Sequence, residues 1–160
     1  MRAIRFVLAA VAAAIVLSGS GAPAAAEDLH RLFEDRCAAC HGDAGPFAHE
    51  VLAGRGLTAE RLARFLGRHG GAGADAGPLA TMLLAQAETP PLFRRQCTIC
   101  HGKAADFVRD HLIRRDGILV GRYTARPVAP FLDRHAGLTP AEQAFFTDLL
   151  TRVEGEVHAP

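Results

Sequence analysis

Apolar residues recur at helical spacing through much of the chain beyond residue 27. Leu29, Phe33 and Cys37 fall on one face at i, i+4 and i+8, which predicts a helix running into Cys37. Thr58 precedes a stretch whose apolar face is Leu62, Phe65, Leu66 and His69 and which stops at Gly70-Gly71, so a capped helix is expected there. Thr89-Pro90-Pro91 is a start signal for another short helix. Thr139-Pro140-Ala141-Glu142 has the capping-box pattern. Beyond it Phe145, Leu149 and Val153 form one stripe, widened by Phe146 and Leu150, which predicts a C-terminal helix. Residues 70–78, rich in Gly, Ala and Asp, read as a loop, and Met82 to Ala87 lead into the second half, with the boundary near 80–89. Neither half shows a strand pattern, so the expected fold class is all-α.

The first residues have a different character. Arg2 and Arg5 form a basic start, Ile4 to Leu17 is an apolar run, and Ala24-Ala25-Ala26 offers small residues at the positions a signal peptidase reads. This predicts a signal peptide over 1–26, cleaved before Glu27, and a periplasmic protein. The alternative is an uncleaved anchor, but the run is shorter than the roughly 20 residues a spanning helix needs. Cleavage would leave 16 of the 18 basic residues against the same 17 acidic ones, taking the formal charge from +1 to −1. That balance gives no basic face for nucleic acid.

All four cysteines lie in two Cys-x-x-Cys-His motifs, Cys37-Ala38-Ala39-Cys40-His41 and Cys97-Thr98-Ile99-Cys100-His101. A disulfide framework is the ordinary use of paired cysteines in an exported protein, and two such pairs can also make a four-thiolate zinc site. Neither accounts for a His after each second cysteine. Covalent haem attachment does: two thioethers to one haem from a single helical turn, then His as the proximal iron ligand. Cys37, Cys40 and His41 would hold one haem c, and Cys97, Cys100 and His101 a second. The surroundings repeat as well, with Leu-Phe-x-x-x-Cys-x-x-Cys-His-Gly at 32–42 and again at 92–102. Gly42 and Gly102 suit a left-handed helix cap.

With these motifs the chain resembles bacterial dihaem c-type cytochromes built from two class I cytochrome c-like lobes in tandem. The resemblance implies two small helical lobes, 27–85 and 86–160, each around one covalent haem. It also implies a loop in each lobe that supplies the distal iron ligand. Class I lobes usually offer Met there, but beyond Met1 this chain has only Met82, so at most one haem is His/Met. A second internal match, Phe65-Leu66-Gly67-Arg68-His69-Gly70-Gly71 against Phe131-Leu132-Asp133-Arg134-His135-Ala136-Gly137, points to histidines instead. His135 is the candidate for haem 2, and His69 competes with Met82 for haem 1. His49 and His111 lie soon after the motifs and are reserves, out of register with one another although Phe47 and Phe107 match. His30, in the leading helix, and His158, in the tail, carry less. Arg122, Tyr123 and Arg126 are candidates to anchor a propionate of haem 2, against the plainer reading of a solvated loop.

The expected function is electron relay between exported or membrane-bound redox partner proteins. Two haems within 134 mature residues lie close, since a domain of that size has a radius of gyration of about 14 Å. No paired carboxylates, nucleophile dyad or further cofactor motif stands out, so the chain reads as a carrier and not an enzyme. Two alternatives stay open: a gas-binding or sensing module with one open iron, and a small relative of dihaem peroxidases, which are much longer chains.

Overall fold

The computed structural model describes residues 27–158; the expected signal segment lies outside them. The protein is mainly helical with one small two-stranded sheet. In chain order it has α1 (Leu29–Arg36), α2 (Ala38–His41), α3 (Ala44–Phe47), α4 (Ala59–Leu66), α5 (Ala76–Glu88), α6 (Leu92–Gln96) and α7 (Thr98–His101). Then follow α8 (Ala104–His111), β1 (Leu112–Arg115), β2 (Ile118–Gly121), α9 (Val128–Leu132) and α10 (Pro140–Val157). A π-helical turn, Ala48–Leu52, continues α3. No helix among the described residues is long and apolar enough to cross a membrane.

Three helix starts follow from capping chemistry. The Asp28 carboxylate accepts from the backbone N–H groups of His30 and Arg31, and Thr58 Oγ1 accepts from Arg61 N–H. At α10 the capping box is complete: Thr139 Oγ1 accepts from Glu142 N–H while the Glu142 carboxylate accepts from Thr139 N–H. The buried face of α10 is Phe146, Leu150, Val153 and Val157, with Phe145 and Leu149 packed at its edge. The stripe is thus turned by one residue from the expected one.

The all-α expectation misses the hairpin. β1 and β2 pair antiparallel, Leu112 opposite Gly121 and Arg115 opposite Ile118. The two turn residues, Asp116 and Gly117, both have positive φ, at 49° and 78°. That is the Asp-Gly two-residue turn whose twist matches paired strands.

Buried side chains form two clusters with a clean break in the sequence. The first holds Leu32, Phe33, Leu62, Leu79, Met82 and Leu83, and ends at Ala87. The second begins at Phe93 and holds Val108, Leu132, Phe146, Leu150 and Val153. Burying a side chain of this size contributes about 1.5–3 kcal/mol, so each half has a core of its own. The stretch from Met82 to Ala87 does not lead away into the second half: Met82, Leu83 and Ala87 complete the first core on α5, and the break falls at 89–91.

The halves are nevertheless joined. α1 packs on α10, where His30 Nε2 lies 2.8 Å from Glu156 Oε2 with both side chains buried. Arg152 binds the same carboxylate and reaches Thr89 in the linker. The Arg109 guanidinium donates to Asp28 at 2.8 Å and also pairs with Asp106.

Candidate functional site

Each Cys-x-x-Cys-His motif forms a short helix of its own, and the residue after it turns the chain sharply. Gly42 has φ 68° and ψ −149°, and Gly102 has φ 67° and ψ −145°. The positive φ is as expected, but the ψ is extended and not left-handed helical. This corner of conformational space is essentially reserved for glycine. A Cβ at either position would meet nothing within 4 Å, so backbone geometry and not crowding requires the glycine.

The turn sends α3 and α8 back over the motifs and sets one aromatic ring beside each motif histidine. Phe47 lies 4.6 Å from His41 between ring centroids, and Phe107 lies 4.6 Å from His101. The same rings approach the leading helices, Phe33 to Phe47 at 5.7 Å and Phe93 to Phe107 at 6.3 Å.

The two histidines of the second repeat also lie beside the motif histidines. His69 faces His41 with ring centroids 5.9 Å apart and planes at 58°. His135 faces His101 at 5.9 Å and 54°. Phe65 packs on His69 at 4.7 Å, and Phe131 on His135 at 4.7 Å. Two imidazoles on opposite sides of one metal ion, each bound at about 2.0–2.1 Å with its centroid about 1 Å further back, stand about 6 Å apart. The spacing in both halves therefore suits one ion held between each pair. Among the described residues no three His, Cys, Asp or Glu side chains converge on a point that would hold a bare ion. A histidine pair alone suits a metal that brings its remaining donors in a ring.

The cysteines agree with that donor set. All four are free thiols; Cys40 and Cys100 are exposed, and Cys37 and Cys97 half-buried. Burial pushes the Cys37 and Cys97 thiols up, Cys97 further through its neighbour Cys100. Burial, with the imidazoles of His135 and His111, pushes His101 below its ordinary value.

In the C-terminal half the facing histidines line a cavity of about 850 Å³ together with Cys97, Phe107, Phe131 and Arg122. Cofactor sites span about 300–1,000 Å³ and are mostly apolar with few polar groups. Phe131, which borders this cavity, and its counterpart Phe65 are each 52% exposed. Arg122 and Arg126 border the same cavity, as does Tyr123, which is otherwise open to solvent. The Arg122 Nη2 donates to the carbonyls of Arg109 and Leu112, while its Nε is buried with no partner among the described residues. The residues thus fit a tethered macrocycle with a central metal and carboxylates at its edge.

Other sequence candidates land elsewhere. Met82 is 1% exposed within the first core, on α5, while His69 faces His41 directly. His49 lines a smaller cavity of about 260 Å³ between the halves. His111 borders the large cavity, its ring 5.4 Å from Phe107. His158 is not a loose tail residue: it caps α10 and its Nε2 lies 3.0 Å from Arg122 Nη2. Two ties escaped the sequence reading. Arg36 donates to the Gly71 carbonyl at 2.7 Å, and Gln96 to Glu142 at 2.9 Å. Each links the residue before a first cysteine to the segment after a facing histidine; their equivalent places before Cys37 and Cys97 were the available signal.

No protein family, no curated protein and no solved structure matches the chain.

Proposed function

We propose that the chain is an exported dihaem c-type cytochrome, two class I cytochrome c-like lobes in tandem, that relays electrons between redox partner proteins. The observation that carries this reading is the repeated site. In each half a Cys-x-x-Cys-His turn faces a second histidine at 5.9 Å, with matching phenylalanines behind both rings. A zinc or disulfide framework requires neither facing histidine.

Cys37 and Cys40 would tether one haem, Cys97 and Cys100 the other, and His41 with His69 and His101 with His135 would hold the iron. A haem so held would supply a one-electron iron couple. The side chains would hold those histidines in place: Phe47 and Phe107 pack beside His41 and His101, and Phe65 and Phe131 pack on His69 and His135. With two histidines facing each other in each half, an iron held between them would lack the open face a peroxidase or gas sensor needs, which favours electron relay. Arg122, with Arg126 and Tyr123 at the rim, supplies charge and hydrogen bonds for a carboxylate edge. Export to the periplasm, where the partners are exported or membrane-bound proteins, is part of the same proposal and rests on the sequence of 1–26.

Mass spectrometry of the exported protein tests the reading. The expected mass is residues 27–160 plus two haems, with a low-spin spectrum that carbon monoxide leaves unchanged on reduction. One haem or none would sink the dihaem reading, and a large carbon monoxide shift would favour the sensing alternative.

A further inference from the structure

The two sites match in their imidazoles but not in their charge. Arg122 is half-buried, lines the C-terminal cavity, and has no carboxylate within ion-pair distance among the described residues. Its charge rests on two backbone carbonyls and the His158 ring. Among the described residues the N-terminal half has nothing like it. Aligning the second repeat, 65–71 with 131–137, puts Gly56 opposite Arg122 and Glu60 opposite Arg126; aligning the cysteine motifs puts Leu62 and Leu66 there. Every arginine of that half, Arg36 beside Gly71 included, is exposed to solvent.

Position decides which charge counts. A cation in a low-dielectric pocket acts far more strongly on its neighbours than one in water, and exposed charges are screened within about 8–10 Å by salt. Glu142 at the rim of the C-terminal cavity is an opposing charge, but it is exposed and engaged with Thr139 and Gln96. Burial acts in the same direction as Arg122: His101 is half-buried and His41 exposed. A nearby cation and a drier site both favour the less positive, reduced state of a metal centre.

We infer that Arg122 makes the C-terminal site the higher-potential one, so that one electron lost by the N-terminal site is gained by the C-terminal site, which delivers it to the acceptor. No bond or proton changes place. The inference rests on the dihaem reading above.

Redox titration of the full mature holoprotein tests it, with haem content read by mass. Two one-electron waves are expected. Removing the C-terminal tether (Cys97→Ala with Cys100→Ala) should abolish the higher wave. Arg122→Gln keeps a polar amide in place of the guanidinium and removes the charge. It should lower the higher wave by about threefold to tenfold in the reduced-to-oxidised ratio, tenfold being about 59 mV for one electron. The lower wave should stay put, and Arg122→Lys should keep most of the higher potential. A two-haem protein whose waves ignore Arg122→Gln, or whose higher wave survives loss of the C-terminal tether, overturns this inference alone. If the Gln variant does not fold, the tether variant still decides the order. A mass without haem overturns the dihaem reading and this inference with it.

Discussion

Asp43 and Lys103 occupy the same place in the two repeats, two residues after each motif histidine, and they are paired with each other. A position that is acidic in one copy and basic in the other brings the two motif turns together at the junction of the halves. Both side chains are about half exposed, so the pair contributes only about 0.2–1 kcal/mol. Lys103→Asp should cost about that much in chemical denaturation by setting like charges together. Combining it with Asp43→Lys should restore stability, since the pair is merely reversed. A double-mutant cycle with no coupling would show that the pair does not hold the junction.

Asp28 and Arg109 join the halves at a drier point. Burial alone would raise the Asp28 carboxyl. The Arg109 hydrogen bond, the Arg31 backbone N–H and the charges of Arg109 and His30 outweigh it, so the group sits below its ordinary value. A depressed carboxyl contributes stability that is whole above the unfolded value near 3.9 and is lost as pH falls through the folded one. Asp28→Asn keeps the helix cap, because Asn caps as well as Asp, and removes the ion pair. Arg109 keeps Asp106, so the expected cost at neutral pH is about 1–2 kcal/mol. The variant should also lose part of the acid destabilisation between about pH 5 and pH 2. Equal acid sensitivity in both proteins would count against the pair.

Much of this was written in the sequence, where the signal is local. The Thr58 and Thr139 starts need only a side chain and the next few amides, and the motif glycines need only their own dihedrals; the Asp28 cap is equally local and went unread, while the helix after Thr89 starts from Pro91 without a side-chain cap. The facing of His69 and His135 to the motif histidines was legible too, because a repeated Phe-Leu-x-Arg-His places them alike in both halves. The hairpin was missed although Asp116-Gly117 lies between Leu112-Ile113 and Ile118-Leu119-Val120. The strands are only four residues each, too short for alternation to show. The hairpin also explains a mismatch between the repeats: the motif register is 60 residues, that of the histidine segments 66, and the hairpin half carries the difference. What no local pattern reveals is pairing across the junction. His30 with Glu156 and Asp28 with Arg109 are 126 and 81 residues apart, and nothing in either neighbourhood names the partner.

Met82 separates two readings of the N-terminal site. It is packed in the first core, and Met and Leu are close in volume. Met82→Leu should therefore cost less than about 1.5 kcal/mol and leave the absorption spectrum of the holoprotein unchanged, including any near-infrared band. Loss of a methionine–iron band in that variant would make Met82 the ligand and displace His69.

The facing histidines give the most discriminating comparison, because the two halves should respond differently to the same change. His69→Ala and His135→Ala each remove one imidazole and the ring that stacks on a phenylalanine, Phe65 or Phe131. In the N-terminal half, with Met82 held in the core on α5, no third donor is expected to replace His69. His69→Ala should convert one of two low-spin signals to high-spin and let the reduced protein take up about one equivalent of carbon monoxide, as expected when an axial ligand is lost. The C-terminal half has a reserve. His111 borders the same cavity, its backbone carbonyl accepts from Arg122 N–H at 2.7 Å, and its ring lies 5.4 Å from that of Phe107. His135→Ala should also lose its low-spin signal. If His111 swings in, however, the signal returns in part, and His111→Ala added to His135→Ala removes it again. His111→Ala alone should leave both signals intact. A His135→Ala protein with wild-type spectrum and potentials, abolished only by His111→Ala, would transfer the ligand role to His111. Unchanged spectra in the double variant would remove both histidines from the iron.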